Sequence, residues 1–170
     1  MINPFSKTYT QQEKEIFGYL KSLSLFNALD YSELQAFVPH LYERSYVKDE
    51  AVYFRNDPSH ALYLLRQGRV SMNVDVGDKF ELLAEYFAPH VFGQNCLLNG
   101  TKRPVNAIIS SERALLYVAP RDNIKNIMEA NNNIKIKLME SLASLYESRN
   151  SKVIKNYRNS YGLFNLGEIF

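Results

Sequence analysis

In the first part of the chain apolar positions recur with a helical step. Ile16, Phe17, Leu20 and Leu23, with Tyr19 less regularly, fall three and four apart with polar side chains between them, which predicts an amphipathic helix over 11–25. An apolar turn, Leu25-Phe26-Asn27-Ala28-Leu29, leads to Asp30 or Ser32, either of which suits the N-cap of a second short helix over 33–40 with Leu34, Phe37 and Val38 on one face. Between 42 and 119 the pattern changes to short runs of β-branched, aromatic and aliphatic residues. Strands are expected at 44–47, 51–55, 61–67, 69–76, 79–87, 105–110 and 114–118. They are separated by Lys48-Asp49, Asn56-Asp57-Pro58-Ser59, Gly68, Gly77-Asp78 and Pro89-His90, each containing a residue suited to a tight bend.

The helical step returns after Pro120, over 121–130, and again after Asn131-Asn132-Asn133, where Ile134, Leu138, Leu142, Leu145 and Tyr146 share a face. The order is therefore helices, a β enclosure of about eight strands, and helices, which excludes an alternating βαβ fold and favours a sandwich, barrel or jelly roll. The expected division is a helical lead over 1–24, a β-rich body over 25–130, a C-terminal helix over 131–156 and a tail over 157–170. In that tail Tyr161, Leu163, Phe164, Leu166, Ile169 and Phe170 follow no helical period.

Composition narrows the chemistry more than the fold. The 170 residues are 46% hydrophobic and 22% charged, as in an ordinary globular domain. The net charge of +2 is too small to argue for a nucleic acid or an anionic membrane. Cys96 is the one cysteine, and His40, His60 and His90 lie far apart, so no disulfide framework or metal-ligand spacing is present. The N-terminus lacks the apolar core of a signal peptide, and no run approaches the roughly 18 apolar residues of a membrane span. A cytoplasmic protein without membrane contact is the expectation. Glu81 and Glu85 should share one strand face with Leu83 and have no histidine or metal partner, and Ser110-Ser111 lacks a nucleophile elbow. No catalytic residue, metal site or certain cofactor is expected.

Five segments occur in an order that resembles one family. They are LFNALDYSELQAF, YVKDEAVYFRNDP, ALYLLRQGRVSM, FGQNCLLNGTKRPVNAII and PRDNIKNIME, and over about 25–149 the chain resembles the cyclic-nucleotide-binding domain of catabolite-activator-type regulators, kinase regulatory subunits and gated channels. The resemblance implies a mainly β fold with flanking α: a double-stranded β-helix, or jelly-roll β-roll, with N-terminal helices and a long C-terminal helix. A buried cyclic phosphodiester needs a cation, backbone N–H donors and an acceptor for the ribose hydroxyl. In the resembling family one cassette supplies these, and here it is FGQNCLLNGTKRPVNAII. The implied ligand-binding residues are Gly93, Gln94, Asn95, Cys96, Arg103 and Asn106. Gly93 would let the backbone approach the ligand, Asn95 and Cys96 would begin a short helix, and Arg103 would pair with the phosphate.

Three departures weaken that site. Gln94 stands where the family has glutamate, so its ribose hydrogen bond would lose charge assistance, about 1 kcal/mol. Pro104 follows the arginine and has no N–H to give, and Val105 and Asn106 replace smaller residues. By residue type alone, Arg103 would be an exposed loop arginine and Cys96 a small core residue. The expected function is a non-enzymatic sensor domain that binds a small anionic ligand, with cyclic AMP or another cyclic nucleotide bound weakly or not at all, and signals through its C-terminal helix. The alternatives are a ligand-free interaction or dimerisation module, and the effector half of a transcription regulator without its helix-turn-helix. The resemblance also implies that the C-terminal helix carries a homodimer contact and in many members completes the ligand site, with Ser141, Ser144 and Asn150 as polar candidates to face a ligand; the alternative is that its apolar stripe packs against the β-roll of its own chain. The tail is expected to fold back on the domain, swap onto a partner or dock with another protein. Too little chain follows the long helix for a DNA reader, so no DNA binding is expected of this chain alone.

Overall fold

The computed structural model describes residues 8–77 and 79–161, so the expectations for the tail beyond 161 and for Asp78 lie outside the described residues. Helix α1, Gln11–Lys21, starts at Thr10, whose hydroxyl accepts from the Glu13 N–H while the Glu13 carboxylate accepts from the Thr10 N–H. It stops short of 25, and Leu23, Leu25, Phe26 and Leu29 continue as buried turns. The expected helix over 33–40 is instead two pieces: α2, Tyr31–Leu34, N-capped by Asp30, and a 3-10 turn, Val38–His40. Pro39 explains the break, because it cannot donate to the preceding turn.

Among the described residues eight strands follow: β1 Tyr42–Val47, β2 Ala51–Tyr53, β3 Ala61–Gln67, β4 Arg69–Val76, β5 Lys79–Phe87, β6 His90–Phe92, β7 Asn106–Ile109 and β8 Arg113–Pro120. They form two antiparallel four-stranded sheets, ordered β1-β8-β3-β6 and β2-β7-β4-β5. Strand β6 was not expected. The chain crosses between sheets at Gly68, whose φ is +89°, and again near Ala88, whose N–H donates to the Gly68 carbonyl. Asp49 (φ +66°) and Asn56 (φ +68°) take the left-handed corners of the early turns, a region these short polar side chains tolerate. A β-bulge in the β4–β5 ladder leaves Leu83 without an opposite residue, since Ala84 faces Met72 and Leu82 faces Asn73. Glu85 then pairs with Ser71 and Glu81 with Val74, so the two carboxylates lie on opposite faces, not on one face as strict alternation predicts.

Helix α3, Arg121–Ala130, and helix α4, Asn132–Tyr161, close the chain. The Asn131 carboxamide oxygen accepts from the N–H groups of Asn133 and Ile134 and so starts α4. The helix continues through Tyr161, five residues past the boundary expected at 156.

The described residues form two cores. One lies between the sheets and contains Leu65, Val70, Met72, Ile109 and Leu116. The other lies between the first sheet and the helices and contains Phe17, Phe26, Phe37, Leu62, Leu64 and Ile124, together with Ile134, Leu138 and Leu142 of α4. Strand β3 feeds both, Leu65 inward and Leu62 and Leu64 toward the helices, which is why ALYLL reads as a continuous apolar run and not an alternation. No helix among the described residues is long and apolar enough to cross a membrane.

Candidate functional site

At one end of the roll, beneath α4, a cavity of about 230 Å³ opens between the second sheet and the turn after β6. Its wall includes Tyr53 of β2, Met72 of β4, Leu83, Ala84 and Tyr86 of β5, Phe92 of β6, the Gly93-Gln94-Asn95 turn, Pro104 and Val105, and, from α4, Tyr146 and Arg149. Among the described residues the wall contains no aspartate or glutamate.

The turn after β6 is built around Arg103. Gly93 has φ +73°, and a Cβ there would stand 2.7 Å from Arg103 Nη1 and 3.1 Å from Tyr63 Cδ2. Glycine is thus required by backbone angle and by the approach of the arginine. Arg103 is only 2% exposed. Its Nη1 donates to the Gly93 carbonyl (2.9 Å) and Asn95 Oδ1 (3.0 Å), and its Nη2 donates to the Ala61 carbonyl (2.6 Å). Its guanidinium carbon lies 4.3 Å from the Tyr53 ring centre and 5.4 Å from that of Tyr63. Nε is buried without a partner, and no carboxylate lies within 4.0 Å of the group among the described residues.

The six residues singled out from the sequence therefore divide in two. Gly93, Gln94 and Asn95 line the cavity, whereas Cys96, Arg103 and Asn106 do not. The Asn95 amide donates to Ser59 Oγ and the Lys102 carbonyl while its oxygen holds Arg103. Gln94 makes no side-chain hydrogen bond to a described residue. The Cys96 N–H is already committed to the Gly93 carbonyl, and burial pushes its thiol up to about 12, so the group packs as a neutral side chain. Asn106 ties the turn after β2 to β4: its oxygen accepts from the Arg55 N–H (2.7 Å) and its amide donates to Asp75 (3.0 Å). Pro104, the residue that lacks a donor, sits at the rim.

Two α4 residues on the wall, Tyr146 and Arg149, were not singled out for a polar role. Ser141 and Ser144 face a different groove, shared with Ser24, Asn27 and Lys137, and Asn150 is exposed. The apolar stripe was the usable signal, because Leu142, Tyr146 and Arg149 continue it at steps of four and three.

Beside the cavity, the His90 ring stacks on Tyr86 (centroids 4.0 Å apart, planes at 10°), and its Nε2 is buried without a partner. Burial, and secondarily the positive charge of Arg149, lowers its pKa to about 4. Between the ordinary value of 6.5 and that value the unfolded chain takes up a proton that the folded chain refuses, so stability falls as pH drops through this window. Because the ring is only partly buried, the effect is no more than about 2 kcal/mol. Urea unfolding at pH 7 and pH 4.5 should show His90→Phe losing about 1–2 kcal/mol less than the natural protein; equal losses would refute this.

A family model of the cyclic nucleotide-binding domain matches residues 43–131. The chain is similar in fold to the sensor domain of the transcriptional regulator DNR from Pseudomonas aeruginosa, with 17% identity and a TM-score of 0.69 over 84% of this chain and 95% of that one. It is also similar to the catabolite activator protein of Thermus thermophilus, with 21% identity and a TM-score of 0.66 over 78% of this chain and 61% of that one. A third similar structure is the regulatory domain of Toxoplasma gondii PKA with cAMP, with 19% identity and a TM-score of 0.63. There the match covers 71% of this chain and 46% of that one, so this chain spans less than half of that structure's length.

Proposed function

The chain belongs to the cyclic nucleotide-binding domain family, and from that membership we propose a regulatory sensor without enzymatic activity that takes a small anionic ligand into the cavity beside Gly93 and signals through α4. The observation that carries this is a cavity with a cation on its wall, a second cation buried behind it and, among the described residues, no carboxylate on the wall. An anion entering such a space meets unopposed positive charge.

Cyclic nucleotides bind this site weakly. Gln94 offers an uncharged acceptor, Pro104 offers no N–H, and about 230 Å³ is below the roughly 300–1,000 Å³ of sites for drug-sized ligands. A second reading, a ligand-free interaction or dimerisation module, draws on the exposed Phe80, Leu82 and Leu83 of β5 and on Val153 and Ile154 of α4. The homodimer through α4 fits either reading.

Thermal unfolding with cyclic AMP, cyclic GMP or benzoate at about 10 mM tests the first. A dissociation constant of about 1 mM gives about 1.4 kcal/mol of stabilisation at that concentration, which raises the melting temperature by about 3–5 °C in a domain of this size. No shift with any of the three, in a protein that light scattering finds dimeric, would replace the sensor by the interaction module.

A further inference from the structure

The structure assigns the ligand-facing positive charge of this cavity to Arg149 of α4 and leaves Arg103 the role of a positioning residue. The assignment rests on the proposal above that the cavity is a ligand site, and it names the group within that site that meets the anion. Arg103 has three hydrogen bonds to oxygens of its own chain and two tyrosine rings beside its guanidinium, and it does not reach the cavity wall. Both terminal nitrogens are already committed, Nη1 to Gly93 and Asn95 and Nη2 to Ala61.

Arg149 is in the opposite condition. It is half-buried and on the wall, and it makes no hydrogen bond or ion pair with a described residue. Its charge acts on His90, Tyr53 and Tyr146, lowering the pKa that burial alone would give the two tyrosines and adding to the depression at His90. Tyr53 and Tyr146 line the same cavity wall as Arg149. Gln94, on the same wall, also makes no side-chain hydrogen bond to a described residue. Two uncommitted polar groups, one cationic and one neutral, thus face a space walled by Tyr53, Tyr86, Phe92 and Tyr146. The chemistry that fits is a flat organic anion: rings against rings, its negative end on Arg149, and a hydroxyl or amine at Gln94. Because Arg149 lies on α4 and Gln94 follows β6, such a ligand bridges the helix and the roll.

Calorimetric titration of the natural chain, Arg149→Gln and Arg149→Lys with cyclic AMP, cyclic GMP, benzoate and inorganic phosphate tests the assignment. Arg149→Gln should melt within about 2 °C of the natural chain without ligand, as expected for a change at a partly exposed helix position. It should lose about tenfold or more in affinity for whichever probe binds best, the loss of one charge-assisted hydrogen bond. Arg149→Lys should recover part of that loss. Equal affinity in the natural chain and Arg149→Gln would overturn the assignment and leave the sensor reading standing. If no probe binds the natural chain, the reading and the assignment fall together.

Discussion

Replacing Arg103 by methionine is expected to destabilise the fold by about 3 kcal/mol, whether or not a ligand binds. The change strips hydrogen bonds from two backbone carbonyls, at Gly93 and Ala61, and from the Asn95 side chain, in a place only 2% accessible to water at residue 103. It also removes the cation from beside Tyr53 and Tyr63, a contact that contributes about 1–2 kcal/mol when desolvated. The opposing term is relief from burying a charge with no nearby carboxylate, which keeps the net loss below the sum of these parts. Methionine has similar reach, so little of the change comes from an empty volume. In thermal unfolding the midpoint should fall by about 6–12 °C. A midpoint unchanged or raised would mean that the desolvation penalty exceeds everything the guanidinium holds in place.

Gly68→Ala should match or exceed that loss, at about 3–4 kcal/mol. The backbone there has φ +89°, and a Cβ would lie 2.5 Å from the Arg113 carbonyl oxygen, 2.6 Å from Ser111 Oγ and 2.9 Å from the Ala114 Cα. Two of these are backbone atoms at the start of β8 and cannot swing aside. The third is a hydroxyl that accepts from the Arg69 N–H and donates to the Arg113 carbonyl, so moving it breaks the seam at which the chain leaves one sheet for the other. Gly18→Ala is the control: it lies within α1 with open space where its Cβ would be, and alanine there should stabilise by about 0.5–1 kcal/mol. Denaturant unfolding of both variants gives the comparison, and a Gly68→Ala loss under about 1 kcal/mol would show that the seam can yield.

Strands β3, β4 and β5 could be delimited from the sequence to the residue, because Gly68 and Gly77 punctuate long apolar or alternating runs. Strand β6 was missed, since His90-Val91-Phe92 is too short to show a period. The bulge at Leu83 likewise has no mark in the sequence, and it reverses the face on which Glu85 lies. Within the site, the family resemblance located the turn at Gly93, yet the direction of Arg103 depends on where Ala61 and Asn95 present their oxygens, which sequence spacing does not encode. Residue type argued for an exposed arginine, and tertiary contacts prevailed. Arg149 was hidden for a related reason. Helical phase put it on the same stripe as Leu142, but only the crossing of α4 over the open end of the roll turns that stripe from core into wall.

That crossing makes α4 a lever with a fixed fulcrum. Ile134, Leu138 and Leu142 are at most 3% exposed and anchor the first half of the helix in the helical core, where extracting even one leucine costs about 2–5 kcal/mol. Beyond Leu145 the side chains are mostly exposed, with Val153 at 64%, so the second half contributes little buried surface to the domain. The boundary between the two regimes falls at Tyr146 and Arg149, within one unbroken helix. Whatever tilts the far arm, whether a second helix or a docking surface, therefore acts on the cavity wall, and by thermodynamic reciprocity an occupant of the cavity biases the arm by the same free energy.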